Sequence, residues 1–246
     1  MRRFHVRPED VAGDRVTFGA EETRHLTRVL RLGVGDVVEA LDGAGTMLTV
    51  RIETVGRRAA EGLVLARTVS RTESPLRLTL VQGIAKSDKM EGIIRMATEL
   101  GVTAVVPIAT ARTVVKVEEN AWRIARWQKV AQEAAKQSGR AVVPRVAPPQ
   151  RLGEWLAGRE SPGLLVCLWE AAMTPLIPRL PALPPAHAEL VVGPEGGLEE
   201  AEVEALERAG AAVGHLGSRI LRTETAGPVG LALLQARYGD LGGGAP

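Results

Sequence analysis

The chain has 246 residues, of which 45% are hydrophobic and 24% charged, and its formal net charge at pH 7 is +2. This composition is typical of a globular protein with one large domain or two modest ones, and no apolar run reaches the roughly 18 residues that span a bilayer. Residues 1–5 are not followed by the apolar region of a secretion signal, and the single Cys167 excludes a disulfide framework. We therefore expect a cytoplasmic protein.

The small net charge hides an uneven distribution along the chain. Residues 75–160 hold 14 Lys and Arg against 8 Asp and Glu, whereas residues 161–246 hold 5 against 10. A basic segment of this kind favours a polyanionic partner such as a nucleic acid. Solvated arginine-rich helices would give the same counts, so charge alone leaves both interpretations open.

The first part of the chain, residues 1–72, has the pattern of a small β-domain. Four runs rich in Val, Leu and Thr are separated by Gly and Asp turn signals: DRVTF, DVVEALD, TMLTVRIETV and AAEGLVLARTV. Between the first two, Leu26, Val29 and Leu30 recur at helical spacing, and Gly33 follows as the expected helix end. We predict a small β-barrel, a frequent type of binding module.

After a candidate linker at residues 72–75, strands and helices alternate through residues 75–246. Predicted strands cover 76–84, 102–110, 163–170, 188–193 and 211–217, and predicted helices cover 87–101, 120–139 and 198–210, with a last apolar helix near the C-terminus. The proline-rich stretches 144–149 and 174–185 are predicted loops. This alternation predicts an α/β domain with a parallel sheet covered by helices on both faces.

Three strand ends carry unusual residues, and ligands of open α/β sheets bind beyond such ends. They are Leu168-Trp169-Glu170, the GPEGG sequence at 193–197, and LGSRILRTETAG at 216–227. The glycines of GPEGG would let backbone approach a ligand closely, although tight turns need glycine as well. The chain has neither the GxGxxG dinucleotide fingerprint nor a GxxxxGK[ST] phosphate loop, and its four scattered histidines predict no metal site.

The conjunction of VVGPEGGL and LGSRILRTETA, about 20 residues apart, resembles the trefoil-knotted S-adenosylmethionine methyltransferases of the SPOUT superfamily. Within it, the chain is similar to the bacterial enzymes that methylate N3 of a uridine in small-subunit (16S) ribosomal RNA. The resemblance extends over nearly the whole chain, through HLTRVLRLGVGD, AKSDKMEGIIRMATELGV and WQKVAQEAAKQSGR. Members often have Gly-Pro-Arg where this chain has Gly-Ser-Arg at 217–219, and a less glycine-rich start of the helix at 227–230.

The resemblance implies a fold and a cofactor that periodicity alone does not predict. The C-terminal domain, residues 75–246, would be knotted, a rare exception to unknotted topology, and residues 1–72 would form a PUA-like RNA-binding barrel. The family is dimeric, with the cofactor pocket near the subunit interface. Loop backbone would hold S-adenosylmethionine. The predicted cofactor-binding residues are Leu168, Glu170, Val192, Gly193, Glu195, Gly196, Gly197, Leu216, Gly217, Ile220, Leu221, Thr225 and Ala226.

The charged residues of LRTETA then have a chemical interpretation. Uridine N3 carries a proton with a pKa above neutrality, and a nearby guanidinium favours the anionic base by Coulomb attraction and hydrogen bonds. We predict that Arg222 faces the uracil, and that Arg219 and Glu224 brace the loop or act on the proton. The alternative is a salt bridge between Arg222 and Glu224 at the start of the last helix.

Basic residues elsewhere are candidates for contacts with RNA phosphates. The predicted RNA-binding residues are Arg2, Arg3, Arg24, Arg28, Arg31, Lys86, Lys89 and Arg140. Arg24, Arg28 and Arg31 are expected to form one stripe on a helix. Two other functions remain open: a ribose 2'-O RNA methyltransferase of the same superfamily, which LRTETA disfavours, and a non-catalytic RNA-binding factor of ribosome assembly.

Overall fold

The structure, a computed structural model, describes residues 2–70, 72–86, 88–113, 121–159 and 163–241. Its internal contacts divide the chain into two units. Unit 1 comprises residues 1–73 and 135–143, and unit 2 comprises residues 74–134 and 144–246. Within the described ranges, no helix is long and apolar enough to cross a membrane.

Unit 1 is built on one six-stranded sheet. Its strands are β1 (Arg3–His5), β2 (Val11–Ala12), β3 (Arg15–Phe18), β4 (Val37–Leu41), β5 (Thr46–Val55) and β6 (Ala60–Val69), in the order β1-β4-β5-β6-β3-β2. β1 pairs with β4 in parallel and the other neighbours are antiparallel. The four predicted strands are present, while the short β1 and β2, with three and two residues, lacked a readable pattern.

The sheet of unit 1 curls around a single core, as the predicted barrel requires. Phe4 of β1 and Phe18 of β3 pack edge to face with ring centroids 5.6 Å apart. These strands are four positions apart in the sheet, which in a flat sheet would separate them by roughly 19 Å. Strong curvature brings both to the same interior, where Val38 and Leu48 are also fully buried.

The helical segment of unit 1 differs from its prediction in one turn. Helix α1 (Ala20–Arg24) continues into a π-helical turn at His25–Val29, in which the Leu30 N–H donates to His25 O at 3.0 Å. The extra residue in this turn shifts the helical phase, so Leu26 is buried but Val29 is 68% exposed. The left-handed residue that follows is Arg31, with φ 54°, and not the predicted Gly33.

Residues 135–143 belong to unit 1, which the sequence did not indicate. They include the end of a long helix, α3 (Ala121–Ser138), and an isolated bridge between Val142 and Ala44. Arg140 forms a 2.6 Å ion pair with Glu73, and the second oxygen of that carboxylate accepts from the backbone N–H of Ala141. A predicted division at residues 72–75 could not include this segment, because the contacts join distant parts of the chain.

Unit 2 contains a seven-stranded sheet in which every pairing is parallel, as predicted. Its strands are β7 (Arg77–Gly83), β8 (Ala104–Ala109), β9 (Arg145–Val146), β10 (Gln150–Arg151), β11 (Leu164–Leu168), β12 (His187–Val192) and β13 (Ala212–Gly214). The order is β10-β8-β7-β12-β11-β13, with β9 also on β8. The two-residue strands β9 and β10 lie in and beside a stretch predicted as loop.

Helices cover both faces of this sheet. They are α2 (Asp88–Glu99), the first part of α3, α4 (Leu152–Ala157), α5 (Glu200–Arg208) and α6 (Thr223–Tyr238). One face packs α4 and α5 through Trp155, Val203 and Leu206, and α6 packs on the other face together with α2. The short α4 was not predicted; the other helices fall within the predicted segments. The α/β architecture with a parallel sheet is confirmed.

Helix α6 lies unusually close to the strands beneath it. A Cβ added to Gly230 would lie 2.8 Å from a methyl carbon of Leu190 and 2.9 Å from one of Leu168. The glycine-rich start at 227–230 therefore continues the helix and lets it contact β11 and β12 directly. This close approach places the N-terminus of α6 beside the carboxyl ends of the central strands.

Candidate active site

A cavity of about 340 Å³ opens where β11, β12 and β13 end. Its walls come from the three predicted loops: the residues after Leu168, the GPEGG sequence, and the segment from Gly214 to the first turn of α6. The volume falls in the range of small-molecule sites, and the position beyond the carboxyl ends of parallel strands is the one that such sheets use.

Backbone crowding shapes the floor of this cavity. A Cβ on Gly214 would lie 2.5 Å from the Cα of Leu176, and one on Gly193 would lie 2.9 Å from the carbonyl carbon of Gly197. Gly197 itself has φ 74°, and its added Cβ would meet Glu170 Oε1 at 2.7 Å. These close approaches leave no room for a Cβ at the three glycines, so the backbone segments can pass one another only with glycine there.

A buried hydrogen-bond network locks two of these loops together. Gln82, at the end of β7 and fully buried, donates from Nε2 to Thr223 Oγ1 at 2.8 Å and to Gly83 O at 3.0 Å. The Thr223 hydroxyl donates in turn to Gly193 O at 2.6 Å. Thus the first residue of α6 is tied to the GPEGG loop through Gln82 and Thr223, which were not among the predicted site residues. Both residues have only a weak signal in the sequence: Gln82 is a polar residue at the end of an apolar strand, and Thr223 is a threonine that follows Arg222.

Lys89 of α2 reaches the same cavity and links two of its carboxylates. Its Nζ lies 3.4 Å from Glu195 Oε1 and 3.4 Å from Glu224 Oε1. Burial disfavours ionisation of Glu195, but hydrogen bonds from the Lys86 and Glu195 N–H groups and from Lys89 outweigh it and lower the pKa of this carboxyl. The GPEGG loop therefore carries a stable negative charge at the cavity wall.

The three predicted catalytic residues all line the cavity. Arg222 is the N-cap residue of α6, its side chain is 83% exposed, and its Nη1 lies 4.0 Å from Glu224 Oε1. Glu224 lies in the first turn of α6, where the helix dipole favours a negative charge. Arg219 is exposed on the preceding loop.

Most residues predicted to bind the cofactor meet at this cavity. Those that line it are Leu168, Glu170, Val192, Gly193, Glu195, Gly197, Leu216, Gly217, Ile220, Leu221 and Ala226. Gly196 and Thr225 are outside the lining: Gly196 O accepts from Arg112 Nη1 at 3.0 Å, and Thr225 N–H donates to Arg222 O within α6. Trp169, Pro194, Leu198 and His215 line it without having been predicted.

The predicted RNA-binding residues fall into different environments. Arg2, Arg24, Arg28, Arg31 and Lys86 are exposed, and Arg3 is partly exposed beside Glu39 at 3.0 Å. Arg31 lies beyond the π-helical turn, so the three arginines do not form one helical stripe.

Two of the predicted phosphate ligands contact carboxylates of the protein itself. Arg140 is 3% exposed and its guanidinium is bound to Glu73, which removes it from the surface that phosphates reach. Lys89 lines the cavity and bridges carboxylates, as described above. Among the residues that the structure describes, no three His, Cys, Asp or Glu side chains are grouped as they would be around a metal ion.

Comparisons with known proteins point to one family. A family model described as an RNA methyltransferase domain matches residues 72–235, and a model described as an RNA methyltransferase PUA domain matches residues 18–65. The second match confirms the predicted PUA-like fold of the N-terminal barrel.

Three similar proteins share one name. The ribosomal RNA small subunit methyltransferase E of Synechocystis sp. is 37% identical over 239 residues, covering 95% of this chain and 77% of the relative. The Bacillus subtilis protein of that name is 35% identical over 84% of each chain. A crystal structure of the Neisseria gonorrhoeae protein of that name, bound to S-adenosyl methionine, has a TM-score of 0.87 and 34% identity, covering 98% of this chain and 99% of that one.

Proposed function

This chain belongs to the RNA methyltransferase family, and from that premise we propose that it methylates N3 of a uridine in 16S ribosomal RNA with S-adenosylmethionine as methyl donor. The observation that carries the proposal is the cavity at the ends of β11–β13, where backbone loops and the charged residues Arg222 and Glu224 meet. The family membership supplies the reaction class, and the cavity supplies the residues.

The cavity fits S-adenosylmethionine through its crowded glycines and its loop backbone. Gly193 and Gly197 keep side chains out of the space, and the main chain from Leu216 to Leu221 offers N–H and C=O groups for the adenine and the methionine part. Glu170 and Glu195 add negative charge to a wall that faces a cationic ligand. When bound, the cofactor supplies an electrophilic methyl group whose bond electrons remain on sulfur.

Arg222 is suited to stabilise the anionic uracil. Its side chain is 83% exposed at the mouth of the cavity, and 4.0 Å separates it from Glu224, so no short contact holds it away from a ligand. An exposed pair at this separation contributes little to stability. A planar guanidinium can donate hydrogen bonds to O2 or O4 of the uracil and so favour loss of the N3 proton. Arg219 lines the same mouth and adds positive charge for the RNA.

Unit 1 is proposed to hold the RNA through phosphate contacts. Arg24, Arg28 and Arg31 are exposed, and Arg2 is exposed as well. Guanidinium groups displayed in this way release counterions when they bind phosphates, so the affinity falls steeply with salt. The small ribosomal subunit in the cytoplasm is the proposed place of action.

We also propose a homodimer in which a second copy completes the cavity. Several large apolar side chains of unit 2 are exposed, including Met173 at 94%, Ile220 at 81% and Leu183 at 81%. Ile220 lies on the loop that lines the cavity, so a partner covering it would close that wall. The C-terminal segment that crosses the other loops is proposed to be threaded as a trefoil knot.

Calorimetry with S-adenosylhomocysteine tests the proposal at its base. We expect binding that weakens on dilution as the dimer dissociates, because each pocket would need its partner. No binding at millimolar ligand would contradict the proposed enzyme and favour an RNA-binding assembly factor. Full affinity in a monomer would overturn the shared pocket but not the reaction.

A further inference from the structure

Glu224 has one carboxylate oxygen that no group in the described structure satisfies. Its Oε1 lies 3.4 Å from Lys89 Nζ and 4.0 Å from Arg222 Nη1, whereas Oε2 is buried and has no hydrogen-bond partner. Burying a charged acceptor without a donor is unfavourable, and Glu224 lines the cavity with its side chain 26% exposed, so its carboxylate is available to a ligand that donates a hydrogen bond.

The two carboxylates that Lys89 contacts, those of Glu195 and Glu224, differ in the other groups that they bind. Glu195 Oε1 already accepts from the Lys86 N–H at 3.1 Å and faces Lys89 at 3.4 Å. Glu224 has Lys89 on one oxygen only, so its carboxylate can accept from another donor. Arg222 is two residues before Glu224 at the start of α6, so the same turn presents a cation and an available acceptor to one ligand.

We propose that the Glu224 carboxylate is the proton acceptor for uridine N3, and that Lys89 is a positioning residue that holds this carboxylate through Oε1. This inference rests on the proposed function. In the step, the N3–H bond breaks, its proton passes to the Glu224 carboxylate, and its electron pair stays on N3. That pair then forms the bond to the transferred methyl carbon. Arg222 stabilises the negative charge while it resides on the uracil.

An N–H donor that reaches the Glu224 carboxylate can come from two sources: the uracil imide and the ammonium group of the cofactor. We assign the imide because Glu224 and Arg222 share one helical turn. The carboxylate that accepts the N3 proton and the cation that stabilises the resulting uracil anion must lie next to each other. An ammonium has another carboxylate in the cavity lining, that of Glu170.

The first experiment compares Glu224→Gln with the wild type, with Glu204→Gln as the matched control. Glu204 lies on α5, its side chain is 59% exposed, and it is paired only with Arg208 in the described part of the chain. We expect the methylation rate of Glu224→Gln under single-turnover conditions to fall by about 100-fold or more, with unchanged S-adenosylhomocysteine affinity by calorimetry. Wild-type activity in Glu224→Gln, or a large loss of cofactor affinity, would overturn the assignment, the latter in favour of the ammonium.

The second experiment uses RNA transcribed with 5-fluorouridine, whose N3–H is more acidic because fluorine withdraws electrons. If Glu224 removes this proton, the difference in rate between Glu224→Gln and wild type should shrink on the fluorinated RNA. Lys89→Met should behave in the same way, and Lys89→Arg should recover part of the rate. An unchanged rate ratio would show that Glu224 does not act on the proton. Failure of the wild type to form 3-methyluridine would instead contradict the proposed function itself.

Discussion

The cavity of unit 2 and the basic surface of unit 1 are built on opposite principles. Around the cavity, Gly193, Gly197 and Gly214 have no room for a Cβ, and Gln82 and Thr223 tie the loops by buried hydrogen bonds. On unit 1, Arg24 and Arg28 extend from a helical segment into solvent. Packing determines the first region in detail, whereas charge density alone defines the second. Substitutions should therefore have sharp effects in the cavity and graded effects on the surface.

The largest effect is expected for Arg222→Lys. Lysine keeps the charge but lacks the planar fork that donates two hydrogen bonds, so the methylation rate should fall by about 100-fold or more. S-adenosylhomocysteine affinity should change little, because loop backbone makes those contacts, and raising the pH should recover part of the rate by assisting loss of the N3 proton. Rates from pH 7 to 9 provide the check; near-normal methylation would reduce Arg222 to a salt-bridge partner of Glu224.

Acid should destabilise unit 1 through His5. Burial and the nearby Lys136 ammonium lower the pKa of His5 to about 4, although Asp42 acts in the opposite direction. The unfolded chain binds a proton at a pKa near 6.5 and the folded chain does not, so stability is lost as the pH falls from 6.5 towards 4, by roughly 3 kcal/mol. Denaturant unfolding of the wild type and His5→Phe at several pH values measures this loss. An equally steep profile in the variant would assign the effect to other groups.

A matched pair of glycine variants separates cavity shape from backbone strain. Gly197 and Gly210 have similar φ angles, 74° and 87°, but an added Cβ meets Glu170 at the first and nothing within 4 Å at the second. Both alanine variants should lose about 1 kcal/mol of stability. Only Gly197→Ala should also weaken S-adenosylhomocysteine binding, by about 10-fold, which is near 1.4 kcal/mol. Equal affinities in the two variants would show that the loop does not shape the ligand site.

The smallest effect is expected on the basic surface. Replacing Arg24 and Arg28 together by alanine should weaken RNA binding severalfold and lower the magnitude of the salt slope, by about 0.7 to 0.9 for each lost phosphate contact. Arg7→Ala is the control, since Arg7 is exposed on the same unit but is held by Asp10 at 2.7 Å. Filter binding between low and moderate salt gives both slopes. A slope unchanged from wild type would place the RNA elsewhere.

The sequence predicts those parts of the structure that depend on a local pattern, and it misses those that depend on packing between distant residues. Runs of Val, Leu and Thr bounded by glycines predicted the long strands, and Gly101 and Gly139 do end their helices with φ 81° and 77°. The π-helical turn was missed because its residues have ordinary helical spacing until the extra residue shifts Val29 outward. Such a phase shift depends on the barrel beneath it and not on the local pattern.

The parts of the site that were predictable are the loops with an unusual local sequence. GPEGG and LRTETA marked the cavity, because glycine and charge at a strand end are unusual. The roles of Lys89 and Gln82 were not predictable, since their partners lie 106 to 141 residues away: Lys89 contacts Glu195 and Glu224, and Gln82 contacts Thr223. Likewise, Arg140 follows the end of a long helix and was predicted to be exposed, but it is buried and paired with Glu73.

The most direct test of the account is mass mapping of modified nucleosides in 16S ribosomal RNA from cells with and without this gene. We predict that one 3-methyluridine disappears without the gene, returns with the wild-type chain, and stays absent or strongly reduced with Arg222→Lys. Retention of every 3-methyluridine in the strain without the gene, or loss of a ribose-methylated nucleoside instead, would contradict methylation at uridine N3.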